Sequence, residues 1–140
     1  MSSVEENKEV FLKFLEEVIH NKNTQAIYDL VSPNHISHNA GGGYQEGVDK
    51  YKNSIEMVSK AFPDIHYIVE KMVAEGDTVC TCLRATATHQ GKFMGIEPTG
   101  NHCSWGEVAI SRFEDGKIVE EWQYVTRPGL LEQIGITPTN

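Results

Sequence analysis

Residues 102–126, HCSWGEVAISRFEDGKIVEEWQYVT, decide the fold. Two runs of alternating apolar and polar residues flank Asp115-Gly116, a strong two-residue hairpin signal. They read as antiparallel strands, His102 to Phe113 and Lys117 to Thr126. Working backward, Thr78 to His89 is β-branched and alternating, and Glu75-Gly76-Asp77 joins it to a strand from Ile65 to Ala74. Residues 90–101, with Gly91, Gly95, Pro98 and Gly100, read as a loop. Further upstream the period changes. Val48, Tyr51, Ile55, Val58 and Phe62 recur at three and four residues, which predicts a helix ended by Pro63. Phe11, Phe14, Leu15 and Val18 form the apolar face of an earlier helix, opened by a Ser3/Glu6 capping box. A short helix is expected from Thr24 to Val31, stopped by Pro33. A short extended piece covers His35 to Asn39, and a loop follows at Gly41–Gly43. A helical turn is expected from Leu130 to Ile134. Helices followed by hairpin-linked strands predict one α+β domain over residues 1–140, with about three helices on a mainly antiparallel sheet.

Composition narrows the function. Lys and Arg number 12 against 20 Asp and Glu, a net charge of −8. Nucleic acid and anionic membrane surfaces are therefore excluded as expected partners. No apolar run approaches the ~18 residues of a membrane-spanning helix. The opening MSSVEENKEV is acidic and unlike a signal peptide, so a cytoplasmic protein is expected. Cys80, Cys82 and Cys103 are odd in number, and the first two lie two apart on one strand; all three are expected reduced and buried.

Several motifs, in one order along almost the whole chain, carry a resemblance. They are Phe62-Pro63-Asp64, Glu75-Gly76-Asp77, Thr88-His89-Gln90-Gly91 and Gly95-Ile96-Glu97-Pro98-Thr99-Gly100. Arg112 to Trp122 and Gly129 to Gly135 complete the set. Together they resemble the SnoaL-like polyketide cyclases and related ester cyclases of the nuclear-transport-factor-like superfamily. The resemblance implies a curved sheet and helices closing a cone-shaped pocket, usually in a dimer. It implies aldol-type ring closure of a polyketide ester, with no metal or organic cofactor. It places His38 at a pocket histidine of the family. It places Thr126, four residues after Trp122, where the family carries an acid/base aspartate.

The residues themselves offer further candidates. Glu107 shares a strand face with Cys103, Trp105, Ala109 and Phe113, so a buried general base is one reading and a solvated carboxylate the other. Trp122, Tyr124 and Thr126 share one face of the last strand with Ile118 and Glu120, and either line a pocket or pack in the core. His89 either shapes the pocket mouth or anchors its hairpin. His35 and His38 lack a third ligand at metal spacing, so no metal site is expected. The catalytic candidates are therefore Glu107 and His38. The ligand-binding candidates are Trp105, Trp122, Tyr124, Thr126 and His89. Two functions stay open: a cofactor-free cyclase, isomerase or dehydratase acting on an apolar carbonyl compound, and a non-catalytic protein binding such a ligand. A weaker third reading is a dimerisation module. Pairing of two copies through the sheet is expected, since its second face is only partly polar.

Overall fold

A computed structural model describes residues 3–39, 43–125 and 133–135. Helix α1 spans Val4–Phe14, and Ser3 and Glu6 form the reciprocal cap. The helix widens into a π-helical turn over Leu15–His20. A 3-10 turn at Thr24–Ala26 leads into the four-residue helix α2, Ile27–Leu30. Strand β1 then runs over Val31–Asn39, longer than the expected 35–39. Pro33 sits within it, where the pairing is irregular between Val31 and Ile36; at such a break its missing N–H costs no ladder bond. A three-residue strand, β2 (Tyr44–Glu46), precedes helix α3, Val48–Ala61. Strands β3 (His66–Glu75), β4 (Thr78–Thr88), β5 (His102–Glu114) and β6 (Lys117–Val125) complete the chain's regular elements. Of the expected 130–134 turn, Leu130 to Glu132 lie outside the described residues.

The six strands form one curved sheet in the order β2-β1-β6-β5-β4-β3. Every neighbouring pair is antiparallel except β1 with β6. Bulges occur in β3 between Val69 and Lys71 and in the β5–β6 pair at Val119. Each bends its strand and sharpens the twist. The concave inner face, with Val79, Leu83, Ala85, Trp105, Ala109 and Phe113, packs under Phe11, Phe14, Leu15 and Val18. Fully burying one such side chain is worth about 1.5–3 kcal/mol, so this layer holds the helices on the sheet.

Helix α3 is fixed at its C-terminal end by backbone. Gln90 and Gly91 both donate N–H bonds to the Ala61 carbonyl, at 2.9 and 3.0 Å. A Cβ on Gly91 would lie 2.2 Å from the Lys60 carbonyl oxygen. Only glycine permits that approach. Gly91→Ala is expected to push the loop off the helix and to cost about 1–3 kcal/mol, read as a lower urea midpoint. An unchanged midpoint would show that the loop yields without loss.

The cysteines depart from expectation. Cys103 is buried, but Cys80 and Cys82 are only half-buried, on the outer face of β4. All three are free thiols. Among the described residues no helix is long and apolar enough to span a membrane, and no three His, Cys, Asp or Glu side chains are grouped to hold a metal.

Candidate active site

Between the helices and the inner sheet face lies a cavity of about 160 Å³. Its helical wall comprises Phe11 and Phe14 of α1, Leu15 and Ile19 of the π-helical turn, and Tyr51, Ile55 and Val58 of α3. The π turn has a positional effect here. It ends at His20, whose Nε2 accepts the backbone N–H of Tyr67 at 3.0 Å and so pins β3 against the helix. The Nδ1 of the same ring faces Glu16 at 3.2 Å.

The sheet wall is polar at one end. Glu107, Ala109, Glu121 and Gln123 line it from β5 and β6, and Tyr67 from β3. Strand register explains the grouping. Glu107 pairs across the ladder with Val125, Ala109 with Gln123, and Ser111 with Glu121, so these side chains share the inner face. Burial pushes the Glu107 carboxyl up from 4.5 to about 7. The Tyr67 hydroxyl, hydrogen-bonded to it, opposes that rise, and the negative charge of Glu121 adds to it. Burial also holds Tyr51 and Tyr67 well above the ordinary tyrosine range. Both therefore stay protonated at neutral pH and act as O–H donors.

Beside this wall is a buried ionisable pair. The His35 Nε2 lies 3.0 Å from Glu121 Oε1, and both side chains are essentially inaccessible. Facing a carboxylate oxygen, that nitrogen must be the donor. Ser111 Oγ donates to the other Glu121 oxygen at 2.9 Å. The Tyr51 ring stacks on His35 at 4.2 Å and on Phe14 at 5.9 Å, and its hydroxyl accepts from Gln123 Nε2 at 3.4 Å. Groups buried this deeply are normally hydrogen-bonded, and here both Glu121 oxygens are, while the His35 Nδ1 is left without a partner.

The structure thus separates the sequence candidates. Glu107 lies in the cavity wall. His38, Trp122 and Tyr124 lie on the opposite, outer face of the sheet, not in the cavity. There His38 Nε2 donates to Glu120 at 2.7 Å and the His38 ring stacks on Trp122 at 5.1 Å, while Tyr124 is half exposed. Hydrogen bonding from His38 and Arg112 draws the Glu120 carboxyl below its usual range. Trp105 and His89 are buried in the core beside Phe62, outside the cavity wall. His89 Nδ1 accepts the Thr99 N–H at 3.2 Å, so this histidine holds the 90–101 loop to β4. Thr126 lies outside the described residues.

One residue causes the change of face. A hairpin closed without irregularity would set Ala109 opposite Trp122. The bulge at Val119 shifts the pairing by one, so that Ala109 meets Gln123 and Ile110 meets Trp122. A one-residue slip turns every later side chain to the other face. The only trace in the sequence is the adjacent apolar pair Ile118-Val119, which breaks the alternation; both are buried. Glu121 and Gln123 were not legible as cavity-lining residues for that reason, Tyr51 read only as part of the helix stripe, and nothing in the sequence singled out Tyr67.

Comparison with known proteins agrees with this architecture. The profile of the family described as SnoaL-like polyketide cyclase matches residues 9–134. AclR from Streptomyces galilaeus, described as a candidate hydroxylase, is 33% identical, with a TM-score of 0.87 over 99% of this chain and 86% of its own. IdmH from Streptomyces antibioticus, a candidate polyketide cyclase, is 25% identical, with a TM-score of 0.81 over 93% of this chain and 99% of its own. A SnoaL-like protein from Jannaschia sp. CCS1 shares the fold, with a TM-score of 0.90 at 21% identity over 99% of this chain and 98% of its own. No curated protein sequence matches.

Proposed function

The chain belongs to the SnoaL-like polyketide cyclase family, and on that premise we propose that its cavity is an acid–base site for a small apolar carbonyl compound, with Glu107 moving the proton. The observation that carries this reading is a carboxyl set into the wall of a largely apolar cavity, with a tyrosine hydroxyl on it. A base is most effective when its pKa lies near the working pH, and about 7 meets that condition. In this reading the Glu107 carboxylate takes the proton from the carbon next to a carbonyl. The C–H electron pair moves into the C–C bond, and the carbonyl π pair moves onto oxygen. Gln123, whose amide has a second N–H beyond the one given to Tyr51, donates to that oxygen. The resulting enolate is the nucleophile that an aldol-type cyclisation needs. No cofactor enters this scheme.

The test is exchange of that proton with solvent. In D₂O, NMR of an aryl methyl ketone with the protein should show deuterium entering the methyl group faster than in buffer. The rival reading, a protein that only binds such a ligand, has one observation in its favour: Thr126 stands where the family's aspartate is expected, and a threonine hydroxyl does not ionise near neutral pH. Binding without exchange would establish that reading instead.

We also propose that the outer face of the sheet pairs with a second copy. Val73, Cys80, Ile110, Trp122 and His38 are lateral neighbours across five strands, and exposed Tyr124 lies on the same face, two residues along β6 from Trp122 and opposite Val108. Light scattering at micromolar concentration should give twice the chain mass, and Ile110→Lys should halve it. A single-chain mass for the wild type would rule the pairing out.

A further inference from the structure

The same cavity restricts what it admits. An apolar cavity of about 150 Å³ accommodates a single benzene ring, whereas sites for drug-sized ligands run to roughly 300–1,000 Å³. This one is open to solvent on one side, and the space it offers, about 160 Å³, falls in the first class. Its apolar walls are firm. Phe14 is held by stacking on Tyr51, and Leu83 and Ala109 are buried on the sheet side. Packed interiors resist added volume, so a fused second ring would have to displace these groups.

Charge narrows the ligand further. Two carboxyl groups, Glu107 and Glu121, stand in the wall, and no Lys, Arg or His is among its lining residues. A carboxylate or phosphate ligand would be desolvated with no cation to meet it and with like charge beside it. A cationic ligand would meet carboxyls, but the Glu121 carboxylate is already taken by His35 and Ser111. The Tyr67 and Tyr51 hydroxyls are given to Glu107 and Glu121, so the second N–H of Gln123 remains as the neutral donor, suited to one uncharged acceptor oxygen.

We propose that the site takes a neutral single-ring carbonyl compound, its ring between Phe14, Ile55 and Leu83 and its oxygen toward Gln123, and excludes fused polycyclic and anionic substrates. This rests on the carbonyl reading above and adds the ligand's size and charge. Substrates attached to a phosphate-bearing carrier would have to leave that carrier outside the cavity.

The test is a binding series by NMR titration at neutral pH. The probes are acetophenone, acetylnaphthalene, acetylanthracene, benzoate and benzylamine. Acetophenone should bind. Acetylnaphthalene should bind at least about tenfold more weakly, since a fitted apolar wall discriminates single carbon groups by roughly 10–200-fold. Acetylanthracene and benzoate should not bind, and benzylamine should bind more weakly than acetophenone. Ile55→Ala, at a half-buried position on the cavity wall, should restore acetylnaphthalene. Ala109→Leu, which fills the space, should abolish acetophenone binding while a cooperative melting transition shows the fold intact. The proposal is overturned if acetylanthracene binds as tightly as acetophenone, if benzoate or benzylamine binds more tightly, or if no ketone binds. The deuterium assay separates this from the catalytic reading. Acetophenone that binds without Glu107-dependent exchange leaves the ligand class standing and removes the catalysis. Glu107-dependent exchange of acetylanthracene does the reverse.

Discussion

Glu107→Gln is expected to lower the rate of ketone deuterium exchange by about 10²–10⁴-fold, the usual contribution of a positioned general base. The amide keeps the size and hydrogen bonding of the carboxyl but takes no proton. Exchange by the wild type should rise with pH through about 7 and then level, because the carboxylate is the active form. The same variant has an opposite effect on stability. A raised carboxyl pKa means that the folded state binds this proton more tightly than the unfolded chain. Below about 4.5 both states are protonated and Glu107 carries no penalty. The penalty grows as pH rises from there and is complete above about 7, where it amounts to roughly 3 kcal/mol. Glu107→Gln should therefore stabilise the fold at pH 8 and have little effect at pH 4. Urea unfolding at the two values measures this. A variant that keeps wild-type exchange, or that is destabilised at pH 8, would remove Glu107 from the role. Loss of activity in a variant of higher stability could not be attributed to unfolding.

His35→Leu is expected to destabilise the protein by about 3–5 kcal/mol, because it strands the Glu121 carboxylate in the core with one fewer donor. Ser111 and Tyr51 would remain as its hydroxyl donors, which are too little to replace the imidazole N–H. Against a total stability of about 5–15 kcal/mol, that is a large share. The paired change, His35→Leu with Glu121→Leu, removes both polar groups together. It should recover much of the loss, since buried ion pairs replaced by apolar side chains are often neutral in stability. Urea midpoints of wild type, both single variants and the double variant form the required cycle. Additive single effects would show that the two side chains act independently, contrary to their 3.0 Å contact.

The elements themselves were open to a reader of the sequence. Hairpin signals at Asp115-Gly116 and Glu75-Gly76-Asp77, and the apolar stripe from Val48 to Phe62, are local features that need no knowledge of the rest of the chain. Turn chemistry and periodicity act within a few residues, so they survive without tertiary context. The Ser3 cap and the turn at Gly76 were legible for the same reason, and both occur as expected. The inward facing of Glu107 was also legible, because its strand runs in regular alternation from Cys103 to Phe113.

The rest of the cavity wall was not. Whether Glu121 or Trp122 faces the cavity depends on one bulge at Val119, and a bulge arises where neighbouring strands must bend together. His35 meets Glu121 across 86 residues of chain, through the parallel pairing of β1 with β6. Tyr67 faces Glu107 because β3, β4 and β5 are in register and His20 pins β3 in place. By itself the sequence determined the elements, the α+β class and one carboxylate on an apolar face, since each is encoded in short-range spacing. Only the tertiary structure decided which face of β6 lines the cavity and which groups partner the buried charges, because side-chain facing depends on register, and register is a property of the assembled sheet.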